Sequence, residues 1–533
     1  MNETYILAYD IGTTGVKTCL FRIDKTIEMV SSASEGYGLY TFPDGGAEQH
    51  MDEWWSGMCR STKRLMSDAP INAEDIAGIS FCSQMQGLVL VDEKGEPVRH
   101  PMSYMDQRAK EEQRRGIASG FKVAGMNAHR LLTSLRITGA VSGSVKDPMW
   151  KYLWVKNHEP QNFRKTRWWL DVKESLIARM TGACIQTRDS AYATMLYDTR
   201  EGKQGWSDQL ARMFGVERQH LPEIIRTTDV AGHLREQQAE ELGLAPGLPV
   251  FGGGGDASLI GIGTGCVHTG DTHIYCGTSG WVSTIVDKQI VDTNAMIASI
   301  VGAQEGRFNY FAEMETAGKS LEWVKDHLAL DEIGIYLKRQ DIAEDHETVY
   351  TSLYDYMSEV VERAEPGAGG VIFTPWLHGN RCPFEDPNAT GMFFGLSLDT
   401  GKTEMIRAVI EGICYHLRWM LECQDKKIKT SQTIRFCGGG ALSPVISQIL
   451  ANITGRRIEV VDSPQNVGSV GAALTAAVGL GVIRDMEHAA DLIPVRAAFA
   501  PREEHAAVYR RNYEVFKELH KANRKLYAKM GVE

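Results

Sequence analysis

AYDIGTTGVKTCLF (residues 8–21) and IYCGTSGWVSTIV (residues 274–286) share one pattern: an apolar run, a Gly-Thr-Thr/Ser-Gly turn, and a second apolar run. β-Branched and aromatic residues on either side of a glycine turn predict strand, tight turn, strand. The two turns begin at Gly12 and Gly277, 265 residues apart in a chain of 533. That period is too long for a solenoid. It predicts two related α/β domains facing each other, although two unrelated hairpins would show the same short pattern. Length points the same way, because single cores stop growing near ~250–300 residues.

Composition excludes several classes of partner. Hydrophobic content of 43% and charged content of 23% are those of a globular chain. A net charge of -11 argues against nucleic acid or an anionic membrane surface, both of which select basic surfaces. It leaves room for a small phosphorylated ligand, which needs only a local site. No stretch approaches ~18 consecutive apolar residues, so no membrane span is expected. The opening MNETYILAYDIG lacks the basic start of a secretory leader, and a cytoplasmic location is expected. The 10 cysteines form no C-x-x-C pair and are expected as reduced, buried thiols.

Outward from the first turn, HMDEWWSGMCRSTKRLM has helical spacing with acids early and bases late. IAGISFCSQMQGLVLVDEKGEPV reads as strand, loop, strand, and helices are expected to dominate from about 105 to 245. In the second half, TIRFCGGGALSPVISQILANITG reads as strand, glycine turn, helix, and VGSVGAALTAAVGLGV as a small-residue helix for close packing. The expected division is an N-terminal domain over 1–250, a C-terminal domain over 251–485 and a helical extension over 486–533. GLSLDTGKTEMIRAV imitates a P-loop, but five residues separate Gly395 from Gly401 where that motif needs four, so Lys402 and Thr403 read as a helix start.

Chemistry concentrates in a few places. Both Gly-Thr turns offer backbone N–H groups and hydroxyls without bulk, as phosphate oxygens require. Lys17 follows the first turn and adds charge, while Asp10 precedes it at a strand end, where a carboxylate serves hydrated Mg²⁺ or simply caps a turn. MDQRA (105–109) groups Asp106, Gln107 and Arg108, partners for a polyhydroxyl ligand or members of a polar loop. CGGGALSP (437–444) allows close approach of a ligand or tight strand–helix packing. In VFGGGGDASLIGIG (250–263) a four-glycine run ends on Asp256, placed at or near a helix N-cap, where the dipole favours the anion. Such a carboxylate is either a general base for a substrate hydroxyl or only a cap.

These motifs, in this order, resemble the FGGY carbohydrate kinase family, and within it the xylulose kinases most closely. The resemblance runs from DIGTTGVK through AEQHMDEWW, SQMQGLVLVD, MDQR, TRDSAYATMLYDTREGKQGWS, GGGGDAS and YCGTSGWV. It continues in FTPWLHGNRCPFEDPNATGMFFGL, RAVIEGICYHLR and GGGALSPVISQILANITG. It implies two actin/hexokinase-like (ribonuclease H-like) α/β domains with mixed sheets flanked by helices, an active-site cleft between them, ATP and Mg²⁺ as cofactors, and a homodimer. Carried onto this chain, Asp256 falls on the catalytic acid and Asp10 on the Mg²⁺-associated acid. Gly12, Thr13, Thr14 and Lys17 fall on the first phosphate loop, and Gly277, Thr278 and Ser279 on the second. Gly318, Gly439 and Gly440 match nucleotide-site positions. Gln84, Met85, Gln86, Asp106 and Arg108 fall where the sugar is held. The glycines before Asp256 would clear the path from phosphate to sugar.

Two positions depart from the pattern. Xylulose kinases carry Gln-Met-His-Gly where this chain has Gln84-Met85-Gln86-Gly87, and Asp-Asn where it has Asp256-Ala257. Both touch the sugar in that family, and a site built around particular hydroxyls discriminates strongly on such groups. The expected activity is phosphoryl transfer from ATP to a ketopentose or related sugar or polyol, with D-xylulose itself in question. The competing reading is an actin-like ATPase or sugar sensor on the same scaffold, because fold alone does not fix function.

Overall fold

The computed structural model describes residues 3–123, 125–328 and 355–531. Two sheets organise the chain. The first is seven-stranded, built from β1 (Thr4–Ile11), β2 (Gly15–Ile23), β3 (Ile27–Gly36), β4 (Ile76–Ser83), β5 (Val230–His233), β6 (Pro249–Phe251) and β7 (Gly254–Gly255). Its order is β5-β6-β4-β1-β2-β3, with β7 also paired to β4. β1 is antiparallel to β2 and parallel to β4. Ile6, Leu7, Ala8 and Tyr9 of β1 are all buried, as expected of a strand covered on both faces.

The second sheet has eight strands: β8 (Thr272–Cys276), β9 (Gly280–Val286), β10 (Val291–Asp292), β11 (Ile297–Val301), β12 (Phe308–Met314), β13 (Thr433–Cys437), β14 (Arg457–Val461) and β15 (Val495–Phe499). It repeats the plan of the first. β8 is antiparallel to β9 across the second Gly-Thr turn and parallel to β13 on its other side. The duplicated turn is therefore part of a duplicated sheet.

Helices cover both sheets. α1 (Met51–Asp68) buries Trp54, Trp55, Met58 and Leu65 at helical spacing. The others that matter here are α2 (Asp256–Gly263), α3 (Gly318–His327), α4 (Lys402–Asp425), α5 (Pro444–Thr454), α6 (Val467–Gly479) and α7 (Ala506–Met530). The helices at 128–138, 148–158 and 208–214 form an outgrowth with its own core around Trp150, Tyr152 and Trp169, while Val172, Leu176 and Ile177 pack with the first sheet.

Contacts cross the expected division at two places. α6 lies beyond residue 250 yet packs on β1 and β4, with Ser80 Oγ 3.2 Å from Thr475 Oγ1. Its small residues let α2 approach backbone to backbone: a Cβ on Gly263 would lie 1.8 Å from the Val467 carbonyl oxygen, and one on Gly471 2.4 Å from that of Leu259. One apolar cluster crosses this boundary through Ala8, Leu259, Trp281 and Ala473. The 486–533 segment also joins the second sheet, where β15 pairs with β14 as the edge. α7 buries Tyr509, Tyr513 and Phe516, and Arg407 of α4 donates to the Tyr509 hydroxyl at 2.9 Å. At the imitation P-loop, Gly401 N–H donates to the Glu404 carboxylate at 2.9 Å, an ordinary helix start. Among the described residues no helix is long and apolar enough to cross a membrane.

Candidate active site

The two glycine turns end the β1–β2 and β8–β9 hairpins, and in each the carbonyls are drawn back into the protein. The Tyr37 hydroxyl donates to Gly12 O at 2.6 Å, Gln49 Nε2 to Thr13 O at 2.7 Å, and Tyr37 N to Thr14 O at 3.0 Å. In the second turn, Gly318 N donates to Gly277 O at 2.7 Å, and Ala317 N to Thr278 O at 3.1 Å. Among the described residues, the N–H groups of Thr13, Thr14, Thr278 and Ser279 have no backbone acceptor. Bound carbonyls and unbound N–H groups are the polarity an anion requires. Gly318 is thereby placed at the start of α3, fastened to the second turn.

Lys17 reaches across to α6, donating from Nζ to Asn466 Oδ1 at 3.2 Å, and Asn466 is the N-cap of that helix. Asp10 lies in the same corner, where a Cβ on Gly468 would come within 3.4 Å of its Oδ2. Burial raises the Asp10 carboxyl above its usual value, and the Lys17 charge and Cys82 thiol oppose the shift. Among the described residues no group of three or more His, Cys, Asp or Glu could hold a metal. One carboxylate beside phosphate turns still fits Mg²⁺, which binds through one or two carboxylates, phosphates and waters.

Asp256 is the first residue of α2 rather than its cap, which is Gly255. Its Oδ1 accepts from Ala257 N at 2.7 Å, and its own backbone N–H also turns towards the carboxyl. Burial pushes the carboxyl up to about 7, with Asp10 and Glu313 adding to the shift. This corrects the expectation of a dipole-stabilised anion: desolvation outweighs the helix terminus. The glycine run also differs from expectation. A Cβ would meet Arg226 O at 2.9 Å from Gly252, Phe81 O at 2.2 Å from Gly253, Asp189 Oδ2 at 3.0 Å from Gly254 and Met85 Sδ at 2.1 Å from Gly255. The glycines let protein approach protein. Asp189 anchors the run, accepting from Gly255 N at 2.7 Å and Ser258 Oγ at 2.5 Å.

The five residues expected to hold sugar divide into two groups. Gln84, Met85 and Gln86 follow β4 and lie beside the Asp256 loop. Gln84 Nε2 donates to Gln49 Oε1 at 2.9 Å, which links this loop to the first phosphate turn. Gln86 adopts a left-handed backbone (φ 64°), held by Asp171 Oδ2 on its N–H at 3.0 Å and by Lys151 Nζ on its carbonyl at 2.6 Å. Its side-chain amide has no partner among the described residues. Asp106 and Arg108 instead close on each other. The buried Asp106 carboxylate takes Ala47 N at 2.8 Å and Arg108 Nε at 3.0 Å, while Arg108 Nη2 also reaches Glu48 at 2.6 Å. They brace the segment that carries Gln49.

Gly438 and Gly440 sit on β8, where a Cβ on either would meet Cys276 at 2.5 and 2.8 Å respectively. Tight strand–helix packing therefore explains these two glycines. Gly439 is buried with them at the turn leading to α5. The sequence reading missed the wall opposite. Glu313, next to last in β12, pairs with Arg381 and acts electrostatically on Asp256. Tyr104 lies beside the Thr13 hydroxyl and feels Asp256, Glu313 and Glu315. A cavity of about 940 Å³ at the other end of α6, lined by Arg188, Arg226 and Arg307, contains none of these groups.

Two sheets of matching topology, each ending in an anion-ready turn, define the actin/hexokinase-like class. Residues 5–263 match the N-terminal domain of the FGGY family of carbohydrate kinases and residues 273–480 its C-terminal domain, and the chain belongs to that family. A gluconokinase of Bacillus licheniformis is 28% identical over 532 residues, covering 99% of this chain and 98% of the relative. A xylulose kinase of Bacillus subtilis (strain 168) is 27% identical over 519 residues, covering 97% and 96%. Among solved structures, a gluconate kinase and a ligand-bound xylulose kinase of Lactobacillus acidophilus each superpose with a TM-score of 0.83 at 26% identity. Each alignment spans 99% of this chain and 100% of the other.

Proposed function

We propose that this carbohydrate kinase transfers the γ-phosphate of ATP to a hydroxyl of a ketopentose or related sugar or polyol, with Asp256 as general base. The observation that carries this reading is the state of Asp256. Oδ1 is fixed by Ala257 N–H, Met85 packs against the preceding Gly255, and burial pushes the carboxyl up to about 7, where a base changes charge at working pH. The Thr13–Thr14 and Thr278–Ser279 amides receive the phosphates, with Lys17 adding charge, and Asp10 is the residue that would hold Mg²⁺. Bound there, the ion would neutralise charge on the transferring phosphoryl group. Gln84, Met85 and Gln86 line the acceptor side, and Asp106 and Arg108 act through Gln49 as positioning residues. Gly277, Gly318 and Gly439 shape the nucleotide side, and Gly440 packs the turn behind them against Cys276.

Relatives named for gluconate and for xylulose are similar to this chain to nearly the same degree, so identity does not choose an acceptor. The test is ADP release from Mg-ATP across ketopentoses, ketohexoses, pentitols, tetritols, glycerol and gluconate, with a control lacking acceptor. Acceptor-dependent ADP with one clear winner is the expected result. Acceptor binding without turnover would establish a sensor instead, and hydrolysis indifferent to acceptor an ATPase.

A further inference from the structure

We infer that the acceptor is uncharged, a ketose or polyol rather than an aldonate, and that Glu313 near the end of β12 enforces this. The inference rests on the proposed function only for where the acceptor sits. Asn309 and Glu313 are four residues apart on one strand and so point to one face. Asn309 Nδ2 donates to the carbonyl of Ala257 at 2.8 Å, which ties β12 to the residue after Asp256. The same strand continues to Glu313, whose charge acts on Asp256, with Glu315 just beyond it. Both acids are part-exposed, with 27% and 28% of their side-chain surfaces open.

An aldonate needs a cation to receive its carboxylate, and among the described residues Arg381, Lys151 and Arg108 are already engaged. Arg381 bonds to Glu313 and lies 3.7 Å from Glu315, one guanidinium between two carboxylates. Lys151 is buried and donates to the carbonyls of Gln86 and Ser103 at 2.6 and 2.9 Å. Arg108 is held by Asp106 and Glu48. Lys146 has no side-chain partner among the described residues, and its charge acts on the buried Lys151. After burial, the charges that raise the Asp256 carboxyl most are Asp10 and Glu313, both acids. Two carboxylates sharing one guanidinium keep a net negative charge, so a carboxylate brought beside this wall loses roughly 10–100-fold in affinity at about 6–12 Å and an effective dielectric near 20. Ala257 removes the amide that the family pattern places beside the catalytic acid, so no side-chain donor there compensates.

The experiment compares stereochemically matched pairs of pentitol and pentonate, and of hexitol and hexonate. Calorimetric binding without nucleotide and kcat/KM with Mg-ATP are both measured. The best-bound polyol should exceed its aldonate by at least about tenfold, and Glu313→Gln should narrow that ratio about tenfold through the aldonate's KM. Glu315→Gln should narrow it less, and it serves if Glu313→Gln does not fold. Equal binding of both members, binding of neither, or a ratio untouched by both variants overturns the inference. Charge-selective binding with no ADP formed on any acceptor overturns the kinase proposal alone.

Discussion

At the scale of single residues, Asp256 carries two predictions. General-base assistance contributes about 10²–10⁴-fold, so Asp256→Asn should lower kcat by that factor while nucleotide affinity, measured by calorimetry, stays within about twofold. A variant keeping a third of wild-type turnover would remove Asp256 from the mechanism. The second concerns pH. Burial first, then Asp10 and Glu313, raise this carboxyl to about 7, and the base works only when ionised. Activity is therefore present above that value and lost as pH falls through it, so kcat/KM should drop about tenfold per unit below about pH 7. Mg²⁺ at Asp10 acts in the opposite sense and should move the limb down as its concentration rises. A profile flat from pH 5 to 8 would mean that the charge state of Asp256 does not limit the reaction.

At the scale of elements, the glycine run tests protein–protein approach. Gly253 has φ +58° and a Cβ there would lie 2.2 Å from Phe81 O, whereas Gly202, with φ +72°, has nothing within 4 Å. Gly202→Ala incurs left-handed strain alone, and Gly253→Ala adds a collision with β4. Urea unfolding should place Gly253→Ala about 1–3 kcal/mol below Gly202→Ala. Equal losses would mean that β4 yields freely. The same elements show what the sequence could disclose. The hairpins around Gly12 and Gly277 were legible because turn chemistry is local. So was the start of α2, displaced by one residue. The placement of α6 was not, because a run of small residues announces close packing without naming the partner. Glu313 and Arg381 were hidden for a related reason: one lies near a strand end, the other in a loop, and only the fold brings them together. Asp106 and Arg108 misled in reverse, since a polar tripeptide reads identically whether it faces a ligand or closes on itself.

At the scale of the whole molecule, the nucleotide would be held by turns on different sheets, so turnover requires the two halves to keep register. α2 and α6 are the joint. α2 begins with Asp256, α6 is capped by Asn466, which holds Lys17, and their backbones meet at Gly471 and Leu259. A closed cleft excludes water and protects the phosphoryl group from futile hydrolysis. Loosening the joint should therefore cost selectivity as well as stability. Gly471→Ala places a Cβ 2.4 Å from Leu259 O, which forces the helices apart at an expected cost of about 1–3 kcal/mol. Its ADP release without acceptor, divided by release with saturating acceptor, should rise several-fold over wild type, while Kd for ATP changes little. Stability loss with an unchanged ratio would show that register between the halves is set elsewhere, in the contacts of the two sheets rather than at this helix pair.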